Sequence, residues 1–514
     1  MTRAAGLRAA ALALALTGIA VAAAPPARAA DPVVSNVRFA QRTDGSRIVD
    51  VTYDLADADG DTCAVTLLAS DDGGADWIMP CSQYSGDAGP GVAPGSDRHI
   101  TWNFGLDNAD REGSDYRVRV VASDLGTLFP PHSPRLYAIN DWSPIDWTVP
   151  GQFEKYARAD LVVLSAIHLW GNPLNESLHV IDRIKAINPD CKVIGYVLGK
   201  TSVLDWAANG ATAPFGKDWF DRTRPYWAYT TLGDTLMDWP HQVVLDIANP
   251  ACREAMARTI AEYQRGSNNK FDGVFWDYFN TQIWIAPLVD ATVNGDPDFD
   301  RDGIPMALDP GEIAAYKAGE VSLIGAVRDS LGAGFIQIFN GQRAYSDSTF
   351  AALGDGMFYE MFPEIFFPRP ETVRNAMSPA FPYNLFRTVT WPRRDNGGPY
   401  NILASVTQNV YSDYTGTMVP LILGNLFRAI GLLAGTYSAW NPYGGWFYGW
   451  TNVDITLGPA LGPPVINGNS YARDFRYGRI DLLMDSGTHP DPFDYTIRVN
   501  GRIVEEWARP YHFP

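Results

Sequence analysis

The residues of this chain best suited to chemistry are carboxylates that directly follow apolar runs. Asp277 closes the run FDGVFWD, and Glu360 closes the run GDGMFYE. Burial beside aromatic rings disfavours a charged carboxylate, so one member of such a pair can keep a proton while the other is ionised. Hydrolysis of a glycosidic bond uses two carboxyl groups in these two states. We therefore predict Asp277 as nucleophile or base and Glu360 as general acid, and the reverse assignment stays open.

Other polar side chains stand at or near the ends of similar apolar runs. Amides, hydroxyls and carboxylates can bind the hydroxyl groups of a neutral sugar, and no Gly-rich phosphate loop is evident late in the sequence. The predicted substrate-binding residues of this kind are Asn140, Asp141, Tyr196, Asp246, Asn280, Asn340 and Gln408. The aromatic stretch YSAWNPYGGWFYGW adds Trp440 and Trp446, whose rings suit stacking on sugars and equally suit an apolar lid.

An acidic loop follows the Asp277 run. Its residues Asp298, Asp300 and Asp302 precede Gly303 in the pattern D-x-D-x-D-G. Ile304 would offer a backbone carbonyl at position seven, and Asp309 stands at position twelve, as in a calcium-binding EF-hand loop. We predict a calcium ion with a structural role, against the alternative of a solvated acidic loop.

The elements that position these residues alternate between short apolar runs and amphipathic stretches over residues 137–437. Such alternation predicts an α/β fold, a (β/α)8 barrel in which the carboxyl ends of the strands carry the active site. The predicted strands are RLYAIND, LVVLSAIH, KVIGYVLG, QVVLDIAN, DGVFWDYFN, FIQIFNG, GMFYEMF and NILASVTQN. QVVLDIAN is the weakest of them, and if it is a loop another segment must close the barrel. Residues 438–514 predict an aromatic segment and a small β appendage packed on the barrel.

The chain before the barrel divides into three parts. Residues 1–30 combine Arg3 and Arg8, an apolar run and an A-x-A site, which together predict a secretory signal peptide and an extracellular or periplasmic protein. Residues 31–127 alternate in period two and predict a sandwich of immunoglobulin or fibronectin type. Its turn SDDGGADW resembles an Asp-box, for which we expect a structural role. Residues 128–136 form a Pro-rich linker.

The composition of the chain limits which binding partners, membrane segments and disulfides can be expected. The chain has 40 basic and 58 acidic residues, a formal net charge of −18, which disfavours nucleic acid as a partner. No later stretch reaches the roughly 18 apolar residues of a membrane span. Export permits disulfides, and Cys63 and Cys81 are the favoured pair. Cys191 and Cys252 are either bridged or two buried thiols.

The segments FDGVFWDYFN and GDGMFYEMF, with the ending YARDFRYGRIDLLMD, resemble a known family. They are similar to secreted glycosidase-like barrel proteins, including the bacterial endo-α-1,4-polygalactosaminidases. The resemblance covers roughly residues 135–485 and implies a glycosidase barrel in which Asp277 and Glu360 match the family's Asp and Glu. It implies a polysaccharide or glycan substrate. Two alternatives stay open: a non-catalytic carbohydrate-binding surface protein on a degenerate barrel, and a barrel enzyme such as a deacetylase or lyase.

Overall fold

The computed structural model describes most of the chain from residue 32 to residue 507. The described residues are 32–58, 60, 62–74, 77, 79–109, 111–123, 135–140, 144–238, 241–279, 296–341, 347–360, 382, 385–386, 388–393, 395–405, 426, 428–440, 457–484 and 493–507. The predicted signal peptide therefore lies outside the described residues. Asp141, Asn280, Gln408 and Trp446 also lie outside them, as do the side chains of Asn140, Glu360 and Trp440.

The amino-terminal module is the predicted β-sandwich. Its elements are β1 (Val33–Gln41), β2 (Ile48–Ala56), β3 (Cys63–Ser70), β4 (Tyr84–Gly86), β5 (Gly89–Val92), β6 (Gly95–Asn103), the short helix α1 (Phe104–Asp107) and β7 (Arg117–Ser123). One sheet has the order β1-β2-β6-β4 and the other β5-β3-β7, and the pairs are antiparallel. Alternate residues of β2, such as Val51 and Tyr53, are buried between the sheets, which explains the period of two in the sequence.

The strands from residue 135 onward build the barrel and two small ribbons. They are β8 (Arg135–Asn140), β9 (Leu161–Ser165), β10 (Lys192–Leu198), β11 (Thr201–Val203), β12 (Tyr229–Thr230), β13 (Gln242–Val244), β14 (Gly273–Asp277), β15 (Pro297–Asp298), β16 (Ile336–Asn340), β17 (Gly356–Glu360), β18 (Ile402–Ser405) and β19 (Tyr437–Trp440). Eight of these strands close a barrel in the order β10-β14-β16-β17-β18-β19-β8-β9. Neighbouring barrel strands are parallel, as the (β/α)8 prediction requires.

One predicted barrel strand was wrong. In the run QVVLDIAN only Gln242–Val244 is a strand, and it pairs antiparallel with β11 outside the barrel. The barrel is closed instead by β19, which lies between β18 and β8 and spans the predicted boundary at residue 437. A short apolar run looks the same in a barrel strand and in a buried ribbon, because both exclude water from the same residues.

The helices of the barrel lie between these strands. They are α2 (Gln152–Ala157), α3 (Ala166–Leu169), α4 (Pro173–Leu178), α5 (Val180–Ile187), α6 (Pro214–Thr223), α7 (Pro250–Gly266), α8 (Pro310–Leu331) and α9 (Ser348–Leu353). Both long helices begin at a side-chain cap followed by proline: Asn249 accepts from the amide of Ala251, and Asp309 from the amides of Gly311 and Glu312. No helix in the described part of the chain combines the length and hydropathy that a membrane-spanning segment needs.

A five-stranded antiparallel sheet follows the barrel. Its strands, in spatial order, are β20 (Val465–Asn467), β21 (Ser470–Phe475), β22 (Gly478–Met484), β23 (Phe493–Val499) and β24 (Arg502–Trp507). Its buried residues, such as Ile480 and Ile497, belong to the same apolar core as the barrel. The expected small β appendage is thus a complete sheet that shares the barrel's core.

The sandwich contacts this carboxyl-terminal sheet through the Asp-box turn. Asp71, in that turn, accepts hydrogen bonds from Arg111 at 2.9 Å, from the hydroxyl of Tyr477 at 2.9 Å, and from Arg476. The Arg111 guanidinium lies 4.3 Å from the centre of the Tyr477 ring. Within the turn, the Ser70 hydroxyl donates to Asp72 at 2.7 Å. The turn therefore has the structural role expected of it, and it also joins two modules.

The predicted Cys63–Cys81 disulfide was wrong. All four cysteines are described, and none of them forms a disulfide. Met79 forms an antiparallel β-bridge with Ala69, near the end of β3, whereas Cys63 is the first residue of that strand. Continuing this antiparallel pairing by two residues brings Cys81 opposite the middle of β3. About four residues, roughly 13 Å of strand, then separate the two positions, beyond the roughly 7 Å Cα limit for a disulfide.

Cys191 and Cys252 are the second pair for which the sequence left two readings. Both thiols are buried, and burial raises their pKa well above the ordinary value. Cys191 precedes β10, whereas Cys252 stands in the first turn of α7. The reading as two buried thiols is therefore confirmed.

Candidate active site

Asp277 lies at the carboxyl end of a fully buried barrel strand. Each residue of β14, from Gly273 to Asp277, is buried. Its neighbours in the barrel are β10, with Leu198 opposite Asp277, and β16, with Phe339 opposite Trp276. This is the rim at which (β/α)8 barrels carry their active sites.

The Asp277 carboxylate is held by donors from both neighbouring strands. The Tyr196 hydroxyl on β10 donates to Oδ2, and the Asn340 amide on β16 donates to Oδ1 at 2.8 Å. The backbone N–H of Tyr278 also donates to Oδ1, at 3.0 Å. Hydrogen bonds to an ionised carboxylate stabilise that charged form. Asp277 keeps only 7% of its surface exposed, so the fold holds its carboxylate in a buried position at this rim.

The backbone around Asp277 is constrained by close packing. Tyr278 has φ +56°, a left-handed conformation that costs a non-glycine residue of order 1–3 kcal/mol. The amide of Gly199 donates to the Asp277 carbonyl at 2.8 Å, and a Cβ at Gly199 would lie 2.6 Å from that carbonyl oxygen. Only glycine permits this approach, so the turn after β10 and the end of β14 determine each other's position.

An aromatic layer lies one step deeper in the barrel. The ring of Phe275 is stacked on Tyr196, with centroids 5.8 Å apart, and meets Phe358 edge to face at 5.1 Å. Phe358 in turn contacts Tyr137 at 6.2 Å. These rings pack beneath Asp277 and fix the ring of Tyr196, whose hydroxyl donates a hydrogen bond to the Asp277 carboxylate.

A buried ion pair adjoins this site, and the sequence analysis did not find it. The Lys200 ammonium lies 2.9 Å from Asp238, and both side chains are almost completely buried. Burial lowers the pKa of Lys200, while the charges of Asp238, Asp277 and Glu320 act to raise it. The Lys200 ammonium also lies 4.8 Å from the centre of the Tyr278 ring. The only sequence signal was a lysine directly after the run VIGYVLG, because Asp238 and Glu320 come from distant segments.

The structure places the other predicted residues as follows. Glu360 ends β17, which is separated from β14 by β16 alone. Asn140 and Trp440 end β8 and β19 at the same rim. Asp246 follows the ribbon strand β13 and accepts a hydrogen bond from the Asn249 amide at 3.2 Å; burial raises its pKa. Tyr196 and Asn340 were predicted to bind substrate, and here they bind Asp277.

The acidic loop folds around its own amides. Asp298, only 2% exposed, accepts from the amides of Asp302 at 3.2 Å and Gly303 at 3.0 Å. Asp302 accepts from the Ile304 amide at 2.7 Å, and Asp309 caps α8. One carboxylate oxygen each from Asp300, Asp302 and Asp309 lie within 4.8 Å of one another. The predicted residues are therefore clustered, although Asp309 also has a second role as a helix cap.

Glu312 belongs to this cluster and was missed by the sequence analysis. One of its carboxylate oxygens lies within 4.8 Å of oxygens of Asp298 and Asp300. Burial and these two carboxylates raise its pKa, and the amides of Phe299 and Asp300 oppose the rise. Glu312 follows the cap Asp309 by three residues, a spacing that in sequence indicates only a helix-capping box.

Comparison with known proteins finds no family model and no curated protein that matches this chain. Solved structures give distant similarities. The chain is similar to the GH36 α-galactosidase AgaB from Geobacillus stearothermophilus (TM-score 0.42, 9% identity, 91% of this chain and 65% of that one). It is also similar to the maltogenic α-amylase AmyB from Thermotoga neapolitana (0.39, 10%, 74% and 97%) and to an α-amylase from H. orenii (0.37, 9%, 69% and 89%). At these scores the similarities assign neither a family nor an activity to this chain.

Proposed function

We propose that this protein is a secreted glycoside hydrolase that cleaves O-glycosidic bonds of a polysaccharide or glycan. Asp277 acts as nucleophile or base and Glu360 as general acid. The observation that carries the proposal is the Asp277 carboxylate, fixed at the barrel rim by the Tyr196 hydroxyl and the Asn340 amide. A nucleophile or base must be ionised and correctly oriented before substrate binds, and donors on two adjacent strands provide both conditions.

The position of Glu360 supports the second role. Glu360 follows Phe358 by two residues on β17, just as Asp277 follows Phe275 on β14, and these two rings touch across the barrel. The pairing register puts Glu360 two residues beyond the level of Asp277. Two strand spacings of about 4.8 Å and this offset of about 6.6 Å put the two backbone positions roughly 12 Å apart. This backbone separation is compatible with the roughly 5–9.5 Å between carboxyl groups that glycosidases use.

The test is release of reducing ends from a panel of purified polysaccharides, amino-sugar polymers included. The proposal expects hydrolysis of at least one polymer by the wild type. Asp277→Asn and Glu360→Gln should each lower kcat by at least about 100-fold, because each removes a group that reacts in the transition state. The melting temperature of each variant should stay close to that of the wild type.

Matched controls are Asp329→Asn and Glu254→Gln, which make the same chemical changes at exposed helix positions. They should retain full activity. Activity that survives Asp277→Asn in a folded protein would overturn the assignment of Asp277. Saturable binding of a glycan that is never cleaved, and that neither carboxylate variant changes, would replace the hydrolase by a carbohydrate-binding protein.

A further inference from the structure

We propose that the loop from Asp298 to Glu312 binds a calcium ion, and that Glu312 is the buried ligand that connects the ion to helix α8. The site is separate from the proposed hydrolase chemistry, and its ligands are oxygens of the chain itself. The D-x-D-x-D-G pattern alone would not distinguish it from a solvated acidic loop. The environment of Glu312 does.

Glu312 is a buried carboxylate with one oxygen left over. The residue is 5% exposed. Its Oε1 accepts from the amide of Phe299 and, at 3.3 Å, from that of Asp300. Its Oε2 is buried and has no hydrogen-bond partner among the described residues. A buried carboxylate oxygen without a partner is costly, and a cation held at the adjacent carboxylates would supply that partner.

The charge around Glu312 points the same way. Carboxylate oxygens of Asp298, Asp300 and Glu312 lie within 4.8 Å of one another, and Asp300 also belongs to the group with Asp302 and Asp309. In the described part of the chain no lysine or arginine forms an ion pair with any of these five carboxylates. The nearest basic residue in sequence, Arg301, stacks on the ring of Tyr229 at 3.7 Å. Close carboxylates without a positive partner repel one another.

The ligand set favours calcium over magnesium. The donors are carboxylate oxygens of one irregular loop and the helix that follows it. Calcium accepts six to eight oxygens in irregular geometry, whereas magnesium requires a near-ideal octahedron. In an EF-hand the last ligand is a glutamate at position twelve. Here that position holds Asp309, one of whose oxygens caps α8, and the glutamate comes three residues later from inside the helix.

Binding would tie three elements together. The loop starts from β15, which pairs with β12 (Asp298 opposite Tyr229), and its last ligand is in the first turn of α8. Glu312, Tyr316 and Glu320 are all buried and recur every four residues, so they share the inward face of that helix. The ion would therefore stabilise the start of α8 against the loop, and the main consequence expected is stability.

The experiment uses the full chain freed of metal with EGTA. Calorimetric titration with CaCl₂, and separately with MgCl₂, is combined with melting curves with and without each ion. Calcium should bind and raise the melting temperature by about 5 °C or more at saturation. Magnesium should bind more weakly. In Glu312→Gln the calcium affinity should fall at least about 10-fold, because a charged ligand is lost.

The decisive comparison is Glu312→Gln without calcium. Glutamine keeps the oxygen that accepts from Phe299 and Asp300, so the calcium-free variant should melt at or above the temperature of the calcium-free wild type. An equal loss of stability with and without calcium would show a purely structural residue and overturn the proposal. Absence of calcium binding by the wild type would also overturn it. Asp300→Asn is a second ligand variant should Glu312→Gln fail to fold, and Glu254→Gln is the neutral control.

Discussion

The two acidic centres of this barrel solve the problem of a buried carboxylate in opposite ways. Asp277 receives hydrogen bonds from a tyrosine hydroxyl, an asparagine amide and a backbone N–H. Only one carboxylate oxygen of Glu312 accepts hydrogen bonds from backbone amides, and the carboxylates of Asp298 and Asp300 lie close to it. The first centre is stabilised by groups that belong to the fold, and the second, in our proposal, takes its partner, a calcium ion, from solution. We therefore propose a catalytic role for the first carboxylate and a cation-binding role for the second.

The largest effect should follow from making Asp277 resemble Glu312. Tyr196→Phe combined with Asn340→Ala removes both side-chain donors and leaves carboxylate oxygens of Asp277 without them. Each hydrogen bond to a charged group contributes about 1.5–3 kcal/mol. We expect kcat/KM on a cleaved polysaccharide to fall about 100-fold or more while the melting curve remains cooperative. Unchanged kcat/KM in the folded double variant would mean that the donors do not prepare Asp277.

A smaller effect should follow from Tyr196→Phe alone. One donor is lost, but Asn340 and the amide of Tyr278 still bind the carboxylate, so kcat should fall about 10-fold. The matched control is Tyr400→Phe, which removes a buried hydroxyl bonded to the Asn396 carbonyl just before β18, at the opposite end of the barrel. Steady-state kinetics on both variants separates the two cases. Equal kinetics would refute a special role for the Tyr196 hydroxyl.

The smallest effect on activity should come from removing calcium. If the loop from Asp298 to Glu312 contributes stability and Asp277 contributes chemistry, EGTA should lower the melting temperature but change the initial rate at 25 °C by less than about twofold. Rates measured well below the melting transition, with EGTA and with excess calcium, provide the comparison. A loss of rate as large as that of Asp277→Asn would mean that the two centres are not independent.

Sequence patterns predicted most of the barrel because its strands are buried on both faces and read as apolar runs. These patterns gave a wrong prediction where the position of an apolar run depends on which strand it pairs with. Two short strands show this difference. Gln242–Val244 pairs with β11 in a ribbon outside the barrel, whereas Tyr437–Trp440 closes the barrel. Pairing between distant segments is set by the packing of the whole domain, and no local period records it.

The site shows the same division. Asp277 was predicted because a carboxylate after an apolar strand is a local signal. Tyr196 and Asn340 were found for the same reason, but their target was not, because the contact joins three strands that are far apart in sequence. Glu312 was missed because it lies three residues beyond position twelve, outside the EF-hand pattern that selected the predicted ligands. Its buried, unsatisfied oxygen becomes apparent only in three dimensions.

The contact through Asp71 has a consequence for the integrity of the chain. The hydrogen bond from Arg476 to Asp71 joins residues that are 405 positions apart in the sequence. The β-sandwich and the carboxyl-terminal sheet are therefore in direct contact, although all the barrel strands lie between them in the sequence. A protease that cut between β7 and β8 would break the covalent connection and leave the Arg111, Arg476 and Tyr477 contacts in place. The two fragments would then stay associated until denaturant or high salt weakened the charged contacts. A cleaved molecule would therefore elute at the size of the intact protein in size-exclusion chromatography, and only a denaturing gel would show the cut.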